Sequence, residues 1–513
     1  MTDSYGVAFS KNGKLLLKCP TTLAGHYEIP NGVTEIDFQA FCNCSKLTSV
    51  TIPDSVKIIG FLAFHSCSSL TSISIPNGVT KIREGTFGFC SSLKEITISQ
   101  SVEIICMNPF SNCINLTTIN VHPDNLFFTS EQGVLFNKDK TTLIYYPSGK
   151  NGSYEIPINV QIVSEKSFQD AELLTAITIP STVTEIGDWA FTGCHSLTTI
   201  TIPSGVTEIG IEAFRECINL TSINVSVDNP RYVSDEGVLF NKDRTILIFC
   251  PTGKIGSYLI PSSVTEIAER AFSNCGSLTD ITISESVTSI GNRAFFHCRS
   301  LKVISIPDSV TEIGDRVFAS CNSLTDIIVD NNNKDYSSLQ GVLFNKKKTI
   351  LIRCPQGKTG HYIIPNSVKK IGVSAFSRCN ELSEITIPNS VTNVENSAFL
   401  DCSGLNAVII PNSVTTIGDR AFDACRNLRV ISIPQSVTNI GEFVFDDCSS
   451  LTSITFLNGA VRLGDEAFWQ CTNIKSINIP SGTRKDFIKF PAIKSFQEVL
   501  IEMDEPLNIA FKE

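Results

Sequence analysis

Cysteine is the reactive side chain with the most regular spacing in this sequence. Among 513 residues there are 19 cysteines, and fourteen of them stand three residues after a phenylalanine. Ala171 fills that column once, and Cys19, Cys250 and Cys354 occupy matching places in a second kind of segment. Disulfide formation and zinc binding are the chemistries open to such a set. The fourteen are Cys44, Cys67, Cys90, Cys113, Cys194, Cys217, Cys275, Cys298, Cys321, Cys379, Cys402, Cys425, Cys448 and Cys471.

The spacing favours free, buried thiols over both alternatives. Equal positions in successive repeats stack in parallel about 4.8 Å apart, whereas a disulfide needs Cβ atoms about 3.8 Å apart. No Cys-x-x-Cys pair lies near a second pair or near paired histidines, as a zinc site would require. We therefore predict cysteines that pack as small hydrophobic residues, which favours a reducing or oxygen-poor setting.

The other polar residues form no recognisable catalytic constellation. The six histidines are scattered, and none belongs to a nucleophile, base and orienter arrangement. Phosphate-binding glycine loops, EF-hand loops and HExxH motifs are missing from the sequence. Carboxylates recur at one place, as at Glu185, Glu208, Glu266 and Glu312, where we expect them to face solvent. We predict no catalytic residue, no cofactor and no metal site, and hence a protein that is not an enzyme.

Phenylalanine marks the repeat that positions these side chains. Its intervals are 23 residues within a run and 58 between runs, and 58 is 23 plus 35. Fifteen repeats of 23 residues are thus interrupted by three insertions of 35 residues, a pattern typical of a solenoid. The marker phenylalanines are Phe41, Phe64, Phe87, Phe110, Phe168, Phe191, Phe214, Phe272, Phe295, Phe318, Phe376, Phe399, Phe422, Phe445 and Phe468.

One repeat, from Leu197 to Cys217, illustrates the predicted coil. In its first six residues, Leu197, Ile200 and Ile202 are expected to point inward and the three threonines outward, and this β-branched stretch predicts a strand that ends at Pro203. Val206 and Ile209 predict a second, short strand on the opposite wall. Segments long enough for a stable helix are missing, so we expect little helix. A glycine follows the second strand in nine repeats, and we attribute it to close packing between coils because long side chains replace it elsewhere.

The three insertions share one sequence motif, which spans Gly133 to Pro147, Gly237 to Pro251 and Gly341 to Pro355. Apolar runs flank a polar turn, which predicts a hairpin or two short strands. The sequence leaves open whether this segment protrudes or forms an extra coil. A diverged copy over 1–28 is expected to cap the N-terminus. We predict repeat blocks over 29–121, 156–225, 260–329 and 364–480, and insertions over 122–155, 226–259 and 330–363.

After Pro480 the repeat stops, and 481–513 is predicted to form an amphipathic C-terminal cap and tail. Pro491 is expected to divide the cap into two short helices. From Met503 onward we expect frayed chain.

Charge and hydropathy restrict the partners. The net charge of −10 argues against a nucleic-acid partner, which requires a basic surface. The sequence has no run of 18 apolar residues, so no membrane-spanning helix is expected. Within the first 25 residues no apolar run is longer than three residues, as at Leu15 to Leu17, so a signal peptide is not expected.

The outward positions of the long strand are the best candidates for a protein-binding face. They are mostly threonine and serine, which could form hydroxyl ladders that stabilise the sheet. Departures cluster later in the chain, and we predict protein contacts there. The candidate residues are Lys302, Val303, Asp326, Ile328, Ala407, Ile409, Arg429 and Val430.

The repeat motif resembles that of the BspA-like leucine-rich-repeat family. It is complete from Cys194 to Phe214 and reads Cys-x-x-Leu-x-x-Ile-x-Ile-Pro-x-x-Val-x-x-Ile-Gly-x-x-Ala-Phe. Residues 236–243 and 479–487 resemble that family's interspersed segment and usual ending. The resemblance implies a mainly β solenoid, a right-handed superhelix of parallel strands with inserted hairpin-like segments. It also implies a non-enzymatic surface protein that adheres to host matrix or cell-surface proteins. The missing export signal favours the alternative of a cytoplasmic structural or assembly scaffold with the same fold.

Overall fold

The computed structural model describes residues 1–503, which divide into two compact units. Unit 1 comprises residues 1–244 and 248–254, and unit 2 comprises residues 245–247 and those from 255 onward. Each unit is a solenoid of coils with two strand walls, and strands of one wall pair mainly in parallel at a spacing of one coil. The predicted β solenoid with little helix is confirmed.

The first wall consists of the longer strands that begin each repeat. Leu197, Ile200 and Ile202 are buried, while Thr198 and Thr201 are exposed, as the alternation predicted. In unit 1 these strands are Gly25–Glu28, Leu47–Thr51, Ser72–Ser74, Glu95–Ile98, Thr118–Val121, Gly152–Glu155, Leu174–Thr178, Thr199–Ile202 and Ser222–Val225. In unit 2 they are Gly256–Leu259, Leu278–Thr282, Val303–Ile306, Asp326–Val329, Gly360–Ile363, Leu382–Thr386, Ala407–Ile409, Val430–Ile433, Ser453–Phe456, Ser476–Pro480 and Leu500–Met503.

The second wall consists mostly of strands of two residues. In unit 1 its strands are Leu15–Lys18, Glu35–Ile36, Ile58–Ile59, Lys81–Ile82, Ile104–Ile105, Thr142–Tyr145, Ile162–Val163, Glu185–Ile186 and Glu208–Ile209. In unit 2 they are Glu266–Ile267, Ser289–Ile290, Glu312–Ile313, Ile350–Arg353, Lys370–Ile371, Asn393–Val394, Thr416–Ile417, Asn439–Ile440 and Arg462–Leu463. The matching strand of the second insertion is Ile246–Phe249.

A turn segment closes each coil between the second wall and the next first-wall strand. Its marker phenylalanine is buried and stacks on that of the neighbouring coil, with ring centroids 4.8 Å apart for Phe41 and Phe64 and 5.0 Å for Phe399 and Phe422. The glycine that begins the segment packs as predicted. A methyl group at Gly187 would stand 2.5 Å from the backbone nitrogen of Glu165 in the preceding coil.

Each insertion forms an additional coil with an extra hairpin, which resolves the choice that the sequence left open. In unit 1 the strands Phe128–Glu131, Val134–Asn137 and Thr142–Tyr145 pair antiparallel in succession. The last of them then pairs in parallel with Ile162–Val163, and Gly152–Glu155 joins the first wall. The remaining extra strands are Ala8–Phe9, Tyr232–Asp235, Val238–Asn241, Tyr336–Leu339 and Val342–Asn345.

The C-terminal segment packs on the last coil. The α-helix Arg484–Phe487 precedes the 3₁₀-helix Pro491–Val499, so Pro491 does separate two short helices. Phe487, Ile493 and Leu500 are buried in the core of unit 2. The expectation of frayed chain from Met503 is wrong for that residue, which ends a strand paired with Ser476–Pro480. The rest of the expected tail lies outside the described residues.

Candidate functional site

The cysteine column forms a buried ladder of thiol donors. Within residues 1–503, eighteen of the 19 cysteines are buried, Cys106 is half-buried, and none of them is joined in a disulfide. In eleven repeats the thiol donates to the carbonyl of the marker phenylalanine one coil earlier, as from Cys217 Sγ to Phe191 O at 3.0 Å and from Cys425 Sγ to Phe399 O at 3.2 Å. The column therefore supplies a hydrogen bond in addition to packing.

At some positions of the column, burial favours the protonated thiol. Desolvation raises the pKa of Cys113 and of Cys425 to about 12. A thiolate is the nucleophilic and metal-binding form of cysteine, so this environment opposes both kinds of chemistry.

The titratable side chains are dispersed over the coils. Across residues 1–503, His, Cys, Asp and Glu do not gather in groups of three or more that could hold a metal ion. Glu208, Glu266 and Glu312 are exposed, as expected, and Glu185 is half-buried. Between residues 1 and 503, neither helix has the length and apolar character needed to cross a membrane.

The predicted binding residues lie on or beside first-wall strands of unit 2. Four of them are large aliphatic residues that project into solvent, with exposed fractions of 39% for Val303, 49% for Ile328, 55% for Ile409 and 46% for Val430. Lys302, Ala407 and Arg429 are also exposed, and Asp326 is half-buried.

These residues form two groups rather than one patch. In the first, Val303 pairs with Asp326 and Ser305 pairs with Ile328 on adjacent strands. In the second, Ile409 lies one coil before Val430, and the Arg429 backbone nitrogen donates to Asn406 O at 3.4 Å between those coils. The strands Gly360–Ile363 and Leu382–Thr386 separate the groups along the chain.

The sequence interpretation missed an asparagine that anchors each insertion. Asn125 is buried, and its amide donates to Ser99 O at 2.8 Å and Val102 O at 2.9 Å. Its side-chain oxygen accepts hydrogen bonds from the backbone nitrogens of Phe127 and Phe128. Asn229 and Asn333 repeat this arrangement. The available signal was the spacing of 104 residues between these asparagines.

One protein-family model matches most of the chain. The BspA type leucine-rich repeat region matches in six copies, over residues 21–132, 144–236, 247–350 and 356–475. No curated protein matches the chain.

Several solved structures are similar to the chain. A leucine-rich repeat protein from Eubacterium ventriosum is 25% identical over 74% of this chain and 95% of that one, with a TM-score of 0.45. A leucine-rich cell surface protein from Faecalibacterium prausnitzii is 23% identical over 96% of this chain and 97% of that one, with a TM-score of 0.33. The pneumococcal vaccine antigen PcpA is 18% identical over 85% of this chain and 89% of that one, with a TM-score of 0.37.

Proposed function

Because the chain belongs to the BspA-type leucine-rich-repeat family, we propose that it is a non-catalytic surface scaffold that binds other proteins through its first wall. Within each unit the wall consists of sheets of two to five parallel strands that present outward side chains at regular spacing. Weak contacts repeated along such an array add up to avidity without a deep pocket.

The observation that carries the proposal is the apolar side chains exposed on this wall in unit 2. Many coils place threonine or serine at these outward positions, as at Thr199 and Thr201. Val303, Ile328 and Ile409 stand in the same columns and leave aliphatic surface in solvent. Exposed apolar groups rimmed by polar residues are typical of protein interaction sites.

Charged neighbours complete each group. Asp326 lies opposite Val303 on the adjacent strand, and Lys302 directly precedes the strand Val303–Ile306. Arg429 precedes Val430 in the second group. A central apolar contact with a charged rim is the usual composition of a protein interface.

The test replaces four of the exposed aliphatic residues of this wall, those that depart from threonine and serine in the 23-residue repeats, with threonine. The variant combines Val303→Thr, Ile328→Thr, Ile409→Thr and Val430→Thr. Threonine is β-branched and suits a strand, so the fold should persist. We measure retention of the labelled full-length protein on cultured cells and on their deposited matrix, and expect at least about tenfold weaker retention of the variant.

A matched control removes exposed aliphatic surface away from the wall. Ile158 is 77% exposed and Val227 is 87% exposed, and neither lies in a strand. The double variant Ile158→Thr and Val227→Thr should be retained like the wild type. Equal retention of all three proteins, or no retention of the wild type on either surface, would refute the proposal.

A further inference from the structure

A cavity of about 590 Å³ opens beside the third insertion, within unit 2. The connection between the walls is short in this insertion, covering only 354–359, whereas the preceding coil uses 314–325. Leu343, Ile352 and Arg353 of the insertion line the cavity, together with Arg316 of the turn segment before it and Ser374 of the one after.

Arg353 is a buried cation in the lining. It is only 7% exposed, and its Nη1 and Nη2 donate to the carbonyls of Ser374 at 2.5 Å and Ser377 at 3.3 Å. Its Nε is buried without a hydrogen-bond partner. Within residues 1–503, no carboxylate lies within ion-pair distance of Arg353. A guanidinium is always charged, so burying it without an anion is costly.

The fold does not require arginine at this place. Tyr145 occupies the equivalent position of the first insertion and Phe249 that of the second. The Tyr145 hydroxyl donates to Phe110 O at 3.1 Å, so an uncharged residue fills the space.

Further arginines approach the cavity along the turn segments. Arg270, Arg293 and Arg316 occupy one column at intervals of 23 residues, and the last two line the cavity. Arg270 pairs with Glu269, from Nε to Oε1 at 3.5 Å. In the described part of the chain, Arg293 and Arg316 have no carboxylate within ion-pair distance. This concentration of positive charge stands out in a chain whose net charge is −10.

We propose that this cavity binds an oxyanion, namely the carboxylate or sulfate group of an acidic ligand. Glu269 and Asp315 are the acidic residues of the lining, and Arg270 already pairs with the first. Three arginines, Arg293, Arg316 and Arg353, therefore line the cavity, and Asp315 is the one lining acid that Arg270 does not neutralise. Planar guanidinium donors match the oxygens of such anions in charge and geometry. The cavity is separate from the first-wall face and does not depend on the function proposed for it.

The test titrates the full-length protein with sodium sulfate and, separately, sodium acetate, and chloride keeps the ionic strength constant. Calorimetry should show saturable binding of at least one anion, and the two titrations distinguish sulfate from carboxylate recognition. Arg353→Tyr introduces the residue that the first insertion carries, and Arg316→Gln removes an exposed guanidinium. Each should weaken binding about tenfold or more, because each removes a charge-assisted contact.

Arg420→Gln is the matched control, because Arg420 occupies the same column of another coil outside the cavity. It should change the affinity by less than about twofold, as expected for a distant surface charge. If Arg353→Tyr fails to fold, Arg316→Gln alone decides the result. The proposal is overturned if neither anion binds saturably, if the cavity variants bind like the wild type, or if Arg420→Gln weakens binding equally.

Discussion

Replacement of Cys425 by alanine tests whether the thiol ladder stabilises the solenoid by hydrogen bonding as well as by packing. Cys425 is fully buried, and its Sγ lies 3.2 Å from Phe399 O, which also accepts the backbone N–H of Cys402. Losing the buried sulfur costs about 1 kcal/mol of packing, and losing the thiol donor costs about 1 kcal/mol more. Cys425→Ala should therefore lower the free energy of unfolding of unit 2 by about 2 kcal/mol.

The chain supplies its own control in the first coil after the third insertion. Cys379 is equally buried, but its thiol lies 3.7 Å from the carbonyls of both Cys354 and Pro355. Cys379→Ala removes the same sulfur and a weaker hydrogen bond, so its cost should be nearer to about 1 kcal/mol.

The assay is urea unfolding followed by tryptophan fluorescence. Trp189 lies in unit 1 and Trp469 in unit 2, so a Trp189→Phe background reports on unit 2 alone. Because long repeat arrays need not unfold in two states, the variants are compared by the transition that Trp469 reports. Equal losses in Cys425→Ala and Cys379→Ala, or no loss in the former, would refute the hydrogen-bonding role.

Three further predictions concern the thiols and the coil spacing. In the native protein a maleimide should label Cys106 first and leave the buried thiols unreacted, as mass spectrometry of the labelled peptides will show; rapid labelling of Cys113 would contradict this. Because burial raises the pKa of Cys113 and of Cys425 to about 12, the folded state favours their protonated form, so stability should hold below about pH 9 and fall from there toward pH 12 in urea titrations. Gly291→Ala should lower the free energy of unfolding by about 1–3 kcal/mol, measured by thermal or urea unfolding, because the added methyl group would stand 2.5 Å from the backbone of the preceding coil. Gly276→Ala is the control and should be tolerated, because no neighbouring atom lies closer than 3.8 Å to the added methyl group.

The coil could be predicted from the sequence because every repeat has the same pattern of apolar and polar residues. The stacking of the marker phenylalanines and the burial of the cysteine column follow from a period of 23 residues, since equal positions must lie above one another. The paired strands follow from alternation before Pro203 and from Val206 and Ile209 after it.

The path of the turn segments could not be predicted. Two positions in each segment adopt a left-handed backbone, yet residues such as Trp189 (φ 52°) and Arg293 (φ 53°) occupy them instead of glycine. Hydrogen bonds to the next coil hold that conformation, as from the Trp189 nitrogen to Ile211 O at 3.0 Å. The backbone preferences of single residues do not predict this conformation, because contacts with the neighbouring coils impose it.

The sequence could identify the candidate binding residues, because they depart from threonine and serine. It could not predict how they are arranged in space. Val303 and Ile328 precede the third insertion, and Ile409 and Val430 follow it. The insertion contributes a first-wall strand, Gly360–Ile363, between the two groups. Because the sequence did not show whether the insertion protrudes or joins the wall, it could not predict that separation.

Presentation of the first wall to partners outside the cell is the central claim, and labelling of intact cells tests it most directly. A membrane-impermeant amine reagent is applied to cells that produce the protein, with a cytosolic protein as the control. We predict that this protein is labelled while the cytosolic control remains unlabelled. Protection equal to that of the control would contradict the surface scaffold and favour an intracellular assembly scaffold with the same fold.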